Sequence, residues 1–195
     1  MIGPHSESDD DHAAMERLQA GDDLALNDLM DRWTPRVSAF LIRFLGSAED
    51  ARDLTQETFV AVYSSRFRYR PSTKFSSWLF GIASNLAKQR IRWRTRHPEV
   101  ALEVANDESA RSAGDQIEDH NPSSLMEAAE RGDAVRQAIA ALPWAMRELV
   151  LLSEYEDLPH AEIARIVGCT AKAVETRLYR ARKILAEKLS AYLAP

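Results

Sequence analysis

The sequence contains a single cysteine, Cys169, among its 195 residues. One cysteine cannot form an internal disulfide, and the lack of a cysteine pair excludes the common zinc sites, so the composition fits the reducing cytoplasm, where we expect the protein to act. No apolar run approaches the length of about 20 residues that a membrane-spanning helix needs, and the acidic start, MIGPHSESDDDH, shows no signal-peptide pattern. We therefore expect a protein with no membrane insertion of its own.

Patterns of catalytic residues are missing as well. The chain has no Gly-rich phosphate loop, no HExxH and no Gly-flanked serine. Its five histidines are scattered without metal-ligand spacing, and the acidic run Asp9–Asp11 favours a solvated charge cluster over a cation site. The sequence thus predicts no enzyme, no cofactor and no metal.

Carboxylates are absent from one long block of the chain. Residues 58–98 hold nine basic residues and no acid, and residues 165–188 hold seven basic residues against two acids. Residues 1–31, with nine acids and one base, and residues 99–133, with ten acids and two bases, carry the opposite sign. This alternation indicates a nucleic-acid partner, which the net charge of -5 conceals.

Apolar residues recur at helical spacing, and no useful stretch alternates as a strand would. We predict an all-α fold of two small helical domains joined by a flexible acidic linker, the C-terminal one containing a helix-turn-helix. The predicted boundaries are a disordered acidic N-terminus at 1–11, a first domain at 12–97, a linker at 98–123 and a second domain at 124–195.

Turn and cap residues divide the first domain into helices. A turn is predicted at Gly21–Asp22, a long helix after Pro35 that ends at Gly46, and a helix capped by Ser47. The last helix of this domain is expected from about Ser76 to Arg96. Its predicted apolar face consists of Trp78, Ile82, Leu86 and Trp93, and its predicted polar-basic stripe consists of Asn85, Lys88, Arg92 and Arg96.

The basic block 58–98 is interleaved with aromatic residues. Single-stranded nucleic acid is bound in this way, because cations follow the phosphates and aromatic rings stack on unpaired bases. Phe75 and Trp78 are placed by the pattern at a junction between loop and helix, where a base could reach them. A purely structural role in the core remains open for Trp78 and Trp93.

Residues 158–185 have the pattern of a helix-turn-helix, with Gly168 at the turn and Thr170 as the cap of the second helix. Val174, Leu178, Ala181 and Leu185 form the apolar stripe of that helix. The opposite face carries Lys172, Thr176, Tyr179, Arg180 and Lys183, flanked by Arg177 and Arg182. An ordinary helical hairpin is the alternative, but the basic excess favours DNA binding in a major groove.

Three segments together resemble one family. They are DARDLTQETFVAVY, FSSWLFGIASNLAKQRIR, and ALPWAMRELVLLSEYEDLPHAEIARIVGCTAKAVETRLYRARKIL. In this order the chain is similar to bacterial RNA polymerase sigma factors of the extracytoplasmic-function (ECF) group, over about residues 12–97 and 124–190.

The resemblance implies partners and roles. It implies a transcription initiation factor that binds core RNA polymerase through the β′ clamp helices, reads promoter DNA, and is restrained by an anti-sigma factor. The implied polymerase-binding residues are Asp53, Leu54, Gln56, Glu57 and Phe59. The implied −10 residues are Lys74, Phe75, Ser76, Trp78, Asn85, Lys88, Gln89 and Arg92. The implied −35 residues are Lys172, Glu175, Thr176, Arg177, Tyr179, Arg180 and Lys183.

Two departures from the family pattern stand out. Glu175 occupies a position that is often basic in the family, and a carboxylate there could accept from a cytosine amino group. Trp144 stands where relatives tend to be polar. Two other functions remain open: a stand-alone helix-turn-helix regulator that does not bind polymerase, which leaves the basic-aromatic block unexplained, and a nuclease, for which the chain lacks a convergent carboxylate cluster.

Overall fold

A computed structural model of the chain describes residues 4–97 and 122–193. The described residues contain eight α-helices and no strand, which confirms the all-α prediction. The helices are α1 (Pro4–Gln19), α2 (Ala25–Leu45), α3 (Ala48–Ser64), α4 (Phe75–Arg96), α5 (Pro122–Ala140), α6 (Trp144–Val150), α7 (His160–Val167) and α8 (Ala171–Leu193). The chain divides into two compact units, with the boundary after Glu103.

The first helix begins earlier than the sequence pattern predicts. Residues 4–11 were expected to be disordered, but α1 starts at Pro4, a residue type suited to the first helical position. Asp11 is only 2% exposed and accepts hydrogen bonds from Arg32 and from the indole of Trp33, at 3.0 Å for Trp33. These bonds hold the helix against α2 at Asp11.

Helix α2 continues through Pro35, where the sequence predicted a break. Proline cannot donate to the carbonyl four residues earlier, that of Asp31. Both residues are exposed, so water can bond that carbonyl, while Trp33 and Val37 are buried on the opposite side. Burial of these two side chains, one before and one after Pro35 in the sequence, outweighs the lost hydrogen bond. The helix ends at Gly46, which has a φ of 72°, as predicted.

Helix α3 is capped by Ser47, whose hydroxyl accepts from the backbone N–H of Asp50 at 3.3 Å. The Asp50 carboxylate does not complete a capping box. It crosses to α4 and pairs with Arg90 at 2.5 Å and with Arg94. Asp50 is 5% exposed, so its two ion pairs connect α3 to α4 inside the N-terminal unit.

The buried face of α4 differs from the predicted one. Trp78, Ile82 and Leu86 are half-buried and Trp93 is exposed. The core is lined instead by Phe75, Leu79, Phe80, Ala83 and Ala87. Alanine allows close helix packing, and α4 lies against α2 and α3, so the face that contains the small residues turns inward.

The C-terminal unit contains α5 to α8. Helix α5 starts at Pro122, two residues before the predicted domain start. Helix α6 is followed by a π-helical turn, Leu151–Tyr155, which the sequence did not predict. Within the described part of the chain, no helix is both long and apolar enough to cross a bilayer.

Candidate polymerase and nucleic-acid interfaces

The helix-turn-helix forms as the sequence predicts. Helix α7 ends at Gly168, which has a φ of 74° and donates its N–H to the carbonyl of Ala164. The hydroxyl of Thr170 accepts from the N–H of Ala173 at 3.2 Å and caps α8. Ile163 of α7 and Val174 of α8 are both fully buried where the two helices pack.

The predicted DNA-reading face of α8 is open to solvent. Leu178 and Ala181 turn inward at 0% exposure, whereas Tyr179 is 71% exposed. All seven predicted −35 residues are exposed: Lys172, Glu175, Thr176, Arg177, Tyr179, Arg180 and Lys183. Arg182, at the margin of this face, donates to Glu154 of the π-helical turn at 2.7 Å and so links α8 to the preceding segment.

Glu175 is paired with Lys172, one turn earlier on α8, at 2.8 Å. The hydrogen bond from Lys172 lowers the pKa of the Glu175 carboxyl below its usual value. Glu175 therefore remains ionised at neutral pH, able to accept a hydrogen bond from a base. Its charge also offsets that of Lys172.

Three of the five predicted polymerase-binding residues share an exposed strip on α3. Asp53, Gln56 and Glu57 are exposed, and together with Val60, Ala61 and Leu86 they line a groove between α3 and α4. Leu54 and Phe59 are 2% and 3% exposed. Those two belong to the core of the N-terminal unit, because they lie on the inward face of α3.

Val60 is a candidate that the sequence reasoning missed. Its side chain is 65% exposed at the groove, beside Glu57. The signal was present in the sequence, since Val60 falls outside the buried stripe of Leu54, Thr58 and Val62.

The loop before α4 ends at a ring that is fully enclosed. Phe75 is 2% exposed and packs against Trp33, Tyr69 and Trp78, with centroid distances of 5.8, 6.0 and 6.1 Å. The prediction that a base could reach this ring is wrong for this structure, because aromatic packing covers it. Trp78 is half-buried, and it remains the accessible ring at this junction.

Side chains from α1 hold this loop in place. The His12 Nε2 atom lies 2.6 Å from the carbonyl of Pro71 and 3.1 Å from the Tyr69 hydroxyl. Tyr69 in turn donates to the carbonyl of Thr73 at 3.0 Å. Burial, followed by the nearby charge of Asp11, raises the pKa of Tyr69 to about 12, so its hydroxyl remains a donor.

Phe67 is a second residue that the sequence reasoning did not single out as a contact. It lies on the 3-10 turn Arg66–Arg68 and is 69% exposed. The Arg66 guanidinium lies 4.5 Å from the centroid of its ring. An exposed ring beside a cation offers both interactions that a single strand needs.

Along α4, Asn85, Gln89 and Arg92 are exposed, as the −10 assignment requires. Lys88 departs from the predicted stripe at 9% exposure. It lies one turn after Ser84, which is fully buried, so Lys88 continues the packed face of α4 and not the exposed stripe. Lys74, before the helix, is exposed, and Ser76 is half-buried.

Comparison with known proteins identifies both units. The family description "Sigma-70 region 2" matches residues 29–97, and "Sigma-70, region 4" matches residues 132–185. The ECF RNA polymerase sigma-E factor of Salmonella typhimurium is 32% identical over 185 residues, covering 94% of this chain and 96% of that protein. The RNA polymerase sigma-H factor of Pseudomonas aeruginosa is 30% identical over 184 residues, covering 94% and 95%.

Two solved structures share the fold. CnrH in complex with the cytosolic domain of CnrY has a TM-score of 0.65 and 23% identity, covering 93% of this chain and 98% of that one. The sigma factor RpoE of Bartonella quintana, in complex with the anti-sigma factor NepR, also has a TM-score of 0.65, with 22% identity and coverage of 84% and 96%.

Proposed function

The chain belongs to the ECF sigma factors, initiation factors that bind RNA polymerase and select promoters, and from this premise we propose which of its surfaces performs each step. The observation that supports the division is the difference in charge between two exposed surfaces, one in each unit. An acidic strip with one apolar residue lies on α3, and a basic face lies on α8.

Helix α8 reads the −35 element in the major groove. Its exposed face is basic, its inner face is buried against α7, and its N-terminus is fixed by the Thr170 cap. Arg180 and Lys172 can bond a base edge or a phosphate, and Glu175 can accept from a cytosine amino group. A preference for cytosine opposite Glu175 follows from this arrangement.

The groove between α3 and α4 binds core polymerase. Asp53, Gln56 and Glu57 provide charge and hydrogen bonding at its rim, and Val60 provides exposed apolar surface. A helix with basic and apolar residues would complement this groove, and the β′ clamp helices are the partner that the family resemblance implies. Burial of Val60 on docking would add apolar area to a contact that is otherwise polar.

The loop and outer face of α4 hold the unpaired −10 strand. The exposed or half-buried residues that can touch DNA are Lys74, Ser76, Trp78, Asn85, Gln89 and Arg92, with Phe67 added from the 3-10 turn. Phe75 and Lys88 are buried beneath this surface, and a base that entered the Phe75 cluster would have to displace buried rings.

An anti-sigma factor is the expected inhibitor, in keeping with the RpoE complex with NepR. The proposed site of action is the cytoplasm, where polymerase and chromosomal DNA are found. The protein acts by binding alone and does not catalyse a reaction of its own.

Run-off transcription tests the proposal. Purified chain and core polymerase are mixed with promoter fragments from the source genome, and the transcripts are compared with those made by core polymerase alone. Asp53→Ala should reduce transcription by weakening polymerase binding, and Arg180→Ala should reduce it by weakening −35 binding. A chain that binds duplex DNA but never stimulates polymerase would instead be a stand-alone regulator.

A further inference from the structure

The C-terminal end of α4 and the residue that follows it carry two stacked aromatic rings that none of the proposed contacts uses. The Trp93 and His97 rings lie nearly parallel, with an interplanar angle of 25° and a centroid distance of 5.0 Å. The His97 Nδ1 atom lies 3.0 Å from the carbonyl of Trp93, so the imidazole is held over the indole. Trp93 is 41% exposed, and His97 is exposed too. Packing in the core therefore does not explain the tryptophan.

The rings continue the outer face of α4. Successive residues of an α-helix are rotated by about 100° around its axis. By this rotation, five residues of α4 lie within about 80° of one another: Trp78, Asn85, Gln89, Trp93 and Arg96. Trp78 and Trp93 are 15 positions apart, which is about 22 Å along the axis. The surface that we assign to the −10 strand thus has an accessible ring at each end.

The charges around the rings fit a nucleic acid. Arg90 and Arg94 of α4 form ion pairs with Asp50 of α3. Arg92 and Arg96 are exposed, and within the described part of the chain neither has an ion pair with a carboxylate. Two exposed guanidinium groups beside a ring pair can bind phosphates on each side of a base.

We propose that the Trp93–His97 pair is a stacking platform for one unpaired base, at the end of α4 opposite to the Trp78 junction. This rests on the proposed function, because it needs single-stranded promoter DNA along α4. The platform would hold the strand at a second point and so limit its freedom to close again.

Trp93→Ala tests the platform in the holoenzyme. The DNA is partly single-stranded promoter DNA, with one unpaired base at a time replaced by an abasic site, and the dissociation constant is measured for each. Wild-type holoenzyme should lose about ten-fold in affinity at one abasic position. Trp93→Ala holoenzyme should bind intact DNA about ten-fold more weakly than wild type. It should lose no further affinity when the abasic site is at that same position. Trp93→Phe, which keeps a ring, should recover most of the affinity.

Trp144→Ala is the matched control, because Trp144 is 40% exposed but lies in the other unit. It should leave every dissociation constant unchanged. Thermal unfolding establishes that Trp93→Ala is folded. The platform is refuted if Trp93→Ala holoenzyme binds the intact promoter DNA as tightly as wild-type holoenzyme does. It is also refuted if Trp93→Ala holoenzyme loses affinity equally at every abasic position. If Trp93→Ala weakens core polymerase binding instead, the rings contact protein and the platform is again refuted. If wild-type holoenzyme does not bind the partly single-stranded promoter DNA at all, the proposed function is overturned, and the platform with it.

Discussion

The two helices assigned to DNA, α4 and α8, differ in how they are packed. Helix α8 buries a narrow stripe of Val174, Leu178 and Ala181 and exposes everything opposite. Helix α4 lies against α2 and α3 and makes further contacts with α1, so its buried surface is wide and includes Phe75 and Lys88. Amphipathic spacing therefore identifies the exposed face of a peripheral helix, but not that of a helix enclosed by several neighbours.

Phe75→Ala should show this difference most strongly. The ring is 2% exposed in a cluster with Trp33, Tyr69 and Trp78. Its removal should lower the free energy of unfolding of the N-terminal unit by about 3–5 kcal/mol. Denaturant unfolding of the full chain measures this. Tyr179→Ala, at 71% exposure on α8, is the control and should change stability by less than about 0.5 kcal/mol. Equal effects from the two would show that Phe75 is accessible after all.

The sequence predicts α8 nearly completely, since a capping threonine, a glycine at positive φ and one apolar stripe act locally. It predicts the existence and limits of α4 but not which side is buried. Alanines supply much of the packing surface, whereas Trp78 is only half-buried and Trp93 is exposed. Nor could it predict that Asp11, in the acidic segment, is buried against α2, since its bonds to Arg32 and Trp33 join residues more than 20 positions apart. Long-range partners of this kind leave no local pattern.

Asp50→Asn should be the next largest change. The carboxylate is 5% exposed and pairs with Arg90 and Arg94. Removing its charge leaves two guanidinium groups facing a neutral side chain, so unfolding should be easier by about 2–3 kcal/mol, less than for a fully buried pair because both arginines are partly exposed. Denaturant unfolding is the measurement.

Asp53→Asn, on the exposed strip of the same helix, is the matched control. It should leave stability unchanged and weaken binding to core polymerase, measured with labelled chain. The opposite pattern, with Asp53 governing stability and Asp50 governing polymerase binding, would reverse our assignment of the two faces of α3.

On α8, Lys172→Ala, Thr176→Ala and Arg180→Ala should each weaken −35 duplex binding by about 1–3 kcal/mol where the side chain contacts a base edge. All three side chains are exposed, so stability should not change. Affinity is measured against several salt concentrations and against single-base variants of the duplex. A residue that contacts only phosphate should lose affinity equally for all sequences and reduce the salt dependence. If all three variants bind the duplex with the affinity of the wild type, another face of α8 contacts the DNA.

The smallest expected effects compare the two helix caps. Ser47 caps α3 and Thr170 caps α8, each through one hydroxyl that accepts from a backbone N–H, at 3.3 Å and 3.2 Å. Alanine at either position should cost about 1 kcal/mol of stability in its own unit. Only Thr170→Ala should also weaken −35 binding, by a few-fold, because Lys172 lies in the first turn that this cap fixes, whereas the cap of α3 is remote from α8 in sequence and lies in the other unit. Unfolding of the full chain and duplex titration are measured on the same preparations. A loss of −35 affinity from Ser47→Ala equal to that from Thr170→Ala would show that the two units are coupled, and that the reading face of α8 depends on more than its own turn.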